Sequence, residues 1–216
     1  MRFMVPGSRR YFRQLLDRRD VLGFIGTLLA SAAFNSAARA AADPAGRVVE
    51  IKGEAFADAS NQHRPLEKAS SVFVGDRVGT GASSRLTMLL GEDTMIKLGE
   101  KAQLVIDQFL STTGGEITLQ SGPVLFDRPS GSRPVPVKIR SSYGLIAVRG
   151  TKFFAGPSNG VFGVFVDRGT VAVSGGGSEV VLQAGQGTNL ESPGAKPSAP
   201  STWSPERIRG ALDSVG

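Results

Sequence analysis

From Gly46 onward apolar and polar residues alternate with a period of two, the mark of strands with one face buried. "RLTMLL" alternates Leu86, Met88 and Leu90 with Arg85 and Thr87. "AQLVID" puts Leu104 and Ile106 on one face and Gln103, Val105 and Asp107 on the other. "EITLQ" repeats the pattern with Ile117 and Leu119, and "PVPVKIRSS" with Val135, Val137 and Ile139. "GVFVDRG", "TVAVSG" and "EVVLQAG" continue it. Turn signals such as Gly79-Thr80-Gly81, Gly114-Gly115 and Gly175-Gly176-Gly177 separate these runs. One strand and turn every 8–12 residues or so predicts a sandwich, barrel or solenoid. Three loosely related units, "GEITLQSGPVLFD", "GVFVDRGTVAVSG" and "SEVVLQAGQGTNL", favour stacked two-strand layers. No useful amphipathic helix falls between residues 46 and 192, so the fold class is all-β.

The pattern changes at both ends. Residues 193–203 read as a flexible Pro/Ser-rich linker. Ser204-Pro205-Glu206 then supplies an N-cap, a proline at the first helical position and an acid in the first turn. Ile208, Ala211 and Leu212 share a face, which predicts a short helix over about 205–213 within a C-terminal unit 204–216. Trp203 is expected to anchor that helix on the sheet, or else to belong to a partner-binding peptide.

Residues 1–40 read as an export signal: a basic front, an apolar stretch and small residues at the end. The apolar stretch Val21–Phe34, about 14 residues, falls short of the roughly 20 needed to span a bilayer. Ala38-Arg39-Ala40 places the cut after Ala40, with Ala40-Ala41-Ala42 as the second choice. "DRRDVLG", with Arg18 and Arg19, resembles a twin-arginine export signal and predicts a periplasmic destination with no membrane span after cleavage. An uncleaved leader would act as a membrane anchor.

Charge then alters one inference. The net charge of +6 invites a nucleic-acid reading, but seven of the 25 basic residues lie in residues 1–40. Residues 41–216 keep 18 basic against 17 acidic side chains. That near-neutral body excludes a binder that tracks a phosphate backbone. The 28 glycines suit an all-β chain with many tight turns. The absence of cysteine excludes disulfides, thiolate metal sites and a Cys nucleophile.

His63, the single histidine, is expected in a polar loop, "SNQHRPLE", and cannot complete a metal set or a Cys-His pair. "LGEDTM" and Glu100 lack the ligand spacing of a calcium loop and read as solvated turn carboxylates. No metal or cofactor is expected. Phe153, Phe154, Phe162 and Phe165 cluster near the end of the domain; they read as core, or as a docking ridge together with Trp203.

Several stretches, in order, resemble the FecR domain. "VGDRVGTGASSRLTMLLGEDTMIKLGEKAQLVI" (74–106) is similar to its opening, "GEITLQSGPVLFD" to its middle and "VKIRSSYGLIAVRGTKFF" to its close. "FVDRGTVAV" and "LQAGQG" match strands that follow, so the resemblance covers roughly residues 46–190. It implies a twisted β-solenoid-like periplasmic stack of short antiparallel strands over 46–192. In the best-known members such a module receives a signal from an outer-membrane transporter, and a helical cytoplasmic segment controls a sigma factor. Only 16 residues precede Asp17 here, so the anti-sigma role is not expected.

The resemblance also singles out Gly150-Thr151, because some anti-sigma members self-cleave at a Gly-Thr bond. A threonine hydroxyl can attack the preceding glycine carbonyl, and water then opens the resulting ester. The bland expectation is that Gly150 makes a turn and Thr151 bonds locally. The expectation for function is an exported binding module rather than an enzyme. It would be a receiver or scaffold touching another envelope or outer-membrane protein; the alternative is a surface module that binds envelope polysaccharide. Exposed aromatics at a groove would favour sugar, and an apolar strand edge would favour protein.

Overall fold

The computed structural model describes residues 44–216, apart from 61, 111, 112 and 134. The expected export signal, with Arg18, Arg19, Ala38 and Ala40, lies outside the described residues. Five short strands come first: β1 (Gly46–Lys52), β2 (Ala55–Ala59), β3 (Gln62–Pro65), β4 (Ser71–Val72) and β5 (Arg77–Thr80). The pair β6 (Arg85–Leu90) and β7 (Thr94–Leu98) is followed by β8 (Gln103–Leu110) and β9 (Gly114–Ser121). A lone strand, β10 (Val124–Asp127), precedes the pair β11 (Pro136–Ser141) and β12 (Leu145–Arg149). Then come β13 (Lys152–Ser158) with β14 (Val161–Arg168), and β15 (Thr170–Gly175) with β16 (Ser178–Gln183). The chain ends with β17 (Gln186–Leu190), β18 (Ser201–Thr202) and α1 (Pro205–Asp213).

These strands form two nine-stranded sheets, and neither closes into a barrel. The first runs β4-β1-β6-β7-β10-β13-β14-β17-β18 and the second β3-β2-β5-β8-β9-β11-β12-β15-β16. From β6 onward the chain lays strands in one sheet and then the other, so both layers grow in chain order. The alternation in the sequence decides which side chains meet between the layers. Leu86, Met88 and Leu90 of β6 point inward, as do Leu104 and Ile106 of β8 and Val137 and Ile139 of β11.

One pairing departs from the expected antiparallel stack: β9 and β11 run parallel, with Ile117 opposite Ile139. The cause is a matter of parity. A two-strand visit to the other sheet brings the chain back reversed, giving the antiparallel pairs β5–β8 and β12–β15. Between β9 and β11 the visit consists of β10 alone, so the chain returns in its original direction.

A second, smaller apolar cluster lies on the outer face of the first sheet. Leu125 of β10, Phe154 of β13 and Phe165 of β14 meet Trp203, Ala211 and Val215, with Ile208 and Leu212 at the margin. The helix starts where the sequence places it: Ser204 caps it, its Oγ accepting from Arg207 N at 3.3 Å. The Pro/Ser-rich segment 193–203, expected to be flexible, is tied to the sheet instead. Ser198 N donates to Asn189 O at 2.9 Å, Thr188 Oγ1 donates to Ser198 O at 2.7 Å, and β18 pairs with β17. Repeated hydrogen bonding to a neighbouring strand outweighs the composition of the segment.

Candidate functional site

The Gly150-Thr151 bond lies where the chain leaves β12 in one sheet and enters β13 in the other. Gly150 has φ +66°, a left-handed conformation that favours glycine, and open space surrounds the position of a Cβ. The residue is therefore required by the turn and not by close packing. Thr151 is fully buried, and its Oγ1 has no hydrogen-bond partner. Its carbonyl accepts from Arg128 N at 3.0 Å. A second corner, at Gly169 (φ +89°), is stacked against the first: a Cβ there would lie 2.8 Å from Thr151 Cγ2 and 3.2 Å from Gly150 O.

Charged side chains gather beside these corners, and each carboxylate is engaged. The Arg128 side chain, only 2% exposed, donates to Thr94 Oγ1 at 2.8 Å and pairs with Asp93 at 3.0 Å. Arg168 donates to Asp127 at 2.8 Å and to Arg128 O at 2.7 Å. Lys152 pairs with Asp167 at 3.0 Å. None of these groups bonds the Thr151 hydroxyl, so the site offers a buried nucleophile without a base to receive its proton. The sequence reading did not single out Arg128; a lone arginine after "VLFD" gives no sign that its carbonyl, amide and guanidinium will all be used.

The five aromatic side chains considered for docking are enclosed in the folded chain. Phe153 lies in the inter-sheet core and stacks on Phe126 at 5.4 Å, while Phe162 stacks on Tyr143 at 4.4 Å. Phe154 and Phe165 point to the other side, where Trp203 sits 6.5 and 5.3 Å from their rings. Both faces of β13 and β14 carry bulk because both are covered, one by the second sheet and one by the tail. Arg207 lies over the Trp203 ring at 3.6 Å, and burial pushes its pKa below the usual arginine value. Docking on these aromatics would need the tail or the sheets to part.

His63 is exposed as expected but lies on β3 and not in a loop, because the segment turns back to pair with β2; its Nδ1 is 2.7 Å from Asp58 and its ring rests against Phe56. Glu100 accepts from Ser83 N at 3.0 Å in its turn. Among the described residues no group of three or more His, Asp or Glu side chains gathers as a metal set. A cleft of about 450 Å³ opens between the sheets beside the Tyr143–Phe162 stack, with Ser141, Pro157 and Glu191 on its walls.

The outer surface carries the remaining information. No phenylalanine, tyrosine or tryptophan among the described residues is exposed. Among the described residues the exposed large apolar side chains are Val74, at 52%, and Val181, at 49%. Val181 lies on β16, an outermost strand of the second sheet. The sequence held a signal for it: "EVVLQ" breaks the alternation, so one valine must share the polar face with Glu179 and Gln183.

Two long open sheets stacked in chain order, with a C-terminal helix covering part of one outer face, define an all-β module. Residues 76–186 match the family described as FecR protein, and the chain belongs to that family. Two crystal structures of a candidate anti-sigma factor from Parabacteroides distasonis, at 1.65 and 2.50 Å, share the fold. Each superposes with a TM-score of 0.52 at 14% identity over 63% of this chain. The match spans 64% and 63% of the length of those two chains. No curated protein matches the sequence.

Proposed function

We propose that this FecR-family protein is a periplasmic receiver or scaffold in envelope signalling, acting through contact with another envelope protein and not through catalysis. One observation carries the reading: among the described residues the apolar surface left open consists of aliphatic side chains at Val74 and on the β16 edge, with no exposed Phe, Tyr or Trp to stack on a sugar. Membership of the family supports the signalling context, and the arginine-rich leader with its cut after Ala40 supports export. In this arrangement residues 1–40 are the export signal, 46–192 the β-domain, 193–203 the linker and 204–216 the helical tail. Anti-sigma activity belongs to the description of the Parabacteroides structures; the present reading assigns this chain only the envelope-side contact. The Gly150-Thr151 bond stays intact in this proposal, because its hydroxyl lacks a base.

The test is a photo-crosslinking residue placed at Val74 or Val181 in cells, followed by mass spectrometry. Capture of an envelope protein other than this chain is expected from at least one of the two positions. Recovery of none from either position would defeat the proposal, and capture only of glycan would transfer it to the polysaccharide alternative.

A further inference from the structure

Sheet edges invite unwanted pairing, and three of the four here are blunted. β4 and β18 are two-residue strands, and β3 carries His63, Arg64 and Pro65. The fourth, β16, has six residues, no proline and no lysine, with Val181 half-exposed at its centre.

The hairpin geometry shows which backbone groups this edge offers. Gly176 and Gly177 both have positive φ, +52° and +74°, forming the two-residue turn that joins β15 to β16. Such a turn makes Gly175 and Ser178 the first hydrogen-bonded pair, and bonded pairs then alternate with non-bonded ones. Ser178, Val180 and Leu182 therefore bond to β15, while Glu179, Val181 and Gln183 direct N–H and C=O outward. The outward N–H of Gln183 is already capped by Gln186 Oε1 at 2.9 Å, which marks the end of the free edge.

We infer that this edge pairs with the β16 edge of a second copy of the chain, antiparallel about a two-fold axis through Val181. The inference rests on reading the edge as a protein-contact surface. In this register Val181 faces its own counterpart, and Glu179 faces Gln183 of the other copy. The side-chain groups left over are complementary. Ser174 Oγ already donates to Glu179 Oε2 at 2.8 Å, leaving Oε1 free, and Thr170 Oγ1 donates to Gln183 Oε1 at 3.0 Å, leaving the amide NH2 to donate. The two Val181 residues exchange both backbone bonds, and each Glu179 N–H reaches a Gln183 carbonyl without disturbing the Gln186 cap. Centring on Val180 or Leu182 instead sets Val181 against Glu179 or against the capped Gln183. The register also brings the turn at Gly177 beside Gly185 of the second copy, and both glycines stand in open space. Two copies would thus make one continuous sheet across the axis, with the Val74 region left for another partner.

The mass of the full chain in solution, by light scattering or sedimentation, tests this. The wild type is expected at twice the monomer mass at high micromolar concentration. Val181→Pro removes only an outward N–H and keeps every bond to β15; its dissociation constant should rise by about 30-fold or more. Val181→Lys, with its fold verified by circular dichroism, serves as the second variant should proline perturb the strand. The chain has no cysteine, so register can be read by oxidation. Val181→Cys should form a covalent dimer, whereas Ser178→Cys should not, because the register sets the two copies of that position six residues apart, roughly 20 Å. A monomeric wild type, a dimer unaffected by either substitution, or equal crosslinking from both cysteines would overturn the inference. A monomer that still captures an envelope protein in cells defeats the dimer alone. A dimer that captures none defeats the broader reading alone.

Discussion

Replacing Thr151 by valine should make the protein more stable, against the usual direction of core substitutions. Thr151 is fully buried and its hydroxyl bonds to nothing, while its methyl group packs against Gly169. An unmade hydrogen bond in the interior costs about 1–3 kcal/mol, and valine keeps the branched shape while removing the polar atom. Part of that cost is recovered by small relaxations, so a gain of about 1–2 kcal/mol is expected. For a domain of this size each kcal/mol moves the melting temperature by about 2–4 °C, which gives a rise of roughly 2–8 °C. Thr151→Ser separates the two halves of the side chain. It retains the unpaired hydroxyl and deletes a buried methyl, so it should lower stability by about 1 kcal/mol. Calorimetry or urea titration of the three proteins reads both signs, and intact mass should show one unbroken chain in each. A Thr151→Val protein less stable than wild type would show that the hydroxyl has a partner, such as a buried water. Cleavage at Gly150-Thr151 in the wild type that disappears in the valine variant would refute the inert reading of the bond altogether.

Trp203→Ala should cost about 3–5 kcal/mol and increase binding of a hydrophobic dye, because it uncovers Phe154 and Phe165 on the outer sheet face. Asp93→Asn should cost about 2–3 kcal/mol by leaving the buried Arg128 guanidinium without its counter-charge, somewhat less than for a fully enclosed pair because Asp93 is 28% exposed; equilibrium unfolding measures it. Gly169→Ala should destabilise by about 1–3 kcal/mol in the same assay, since φ is +89° and the new Cβ would meet Thr151 Cγ2 at 2.8 Å. Lysine at both Arg18 and Arg19 should hold the precursor in the cytoplasm in a fractionation assay; unchanged export would remove the twin-arginine reading.

Period-two patterning was enough to mark β6, β8, β9, β11, β14, β15 and β16 and to choose the inward face of most of them, because a strand cannot rotate without exposing all its apolar residues. The short strands β2–β5 carry too few residues for the pattern to show. It says nothing about which of two sheets receives a strand. The parallel pair β9–β11 follows from that missing information: β10 looks like any other short strand, and only its solitary visit to the first sheet sets the direction of β11. The helix was legible to the residue because Ser204 and Pro205 are local signals with local causes. The fate of Phe154 and Phe165 was not, since covering them depends on Trp203, far along the chain from both. Residues 193–203 misled for the related reason that composition reports the cost of ordering a segment and not the strand waiting to bond it. At the Gly-Thr corner the sequence marked the bond, while the unpaired hydroxyl and the occupied carboxylates around it are products of packing.

The tail has a mechanical consequence. Its last turn lies over the middle of the first sheet, where Arg85 donates to Asp213 O at 2.9 Å and α1 rests on β13. Tension applied at the C-terminus would load that apolar seat first and the two-residue ladder of β18 next, peeling one contact at a time. The long strands would bear force only after the helix had lifted and bared Leu125, Phe154 and Phe165. Pulled from this end, the protein yields in order, and its first yielding step converts a closed surface into a sticky one.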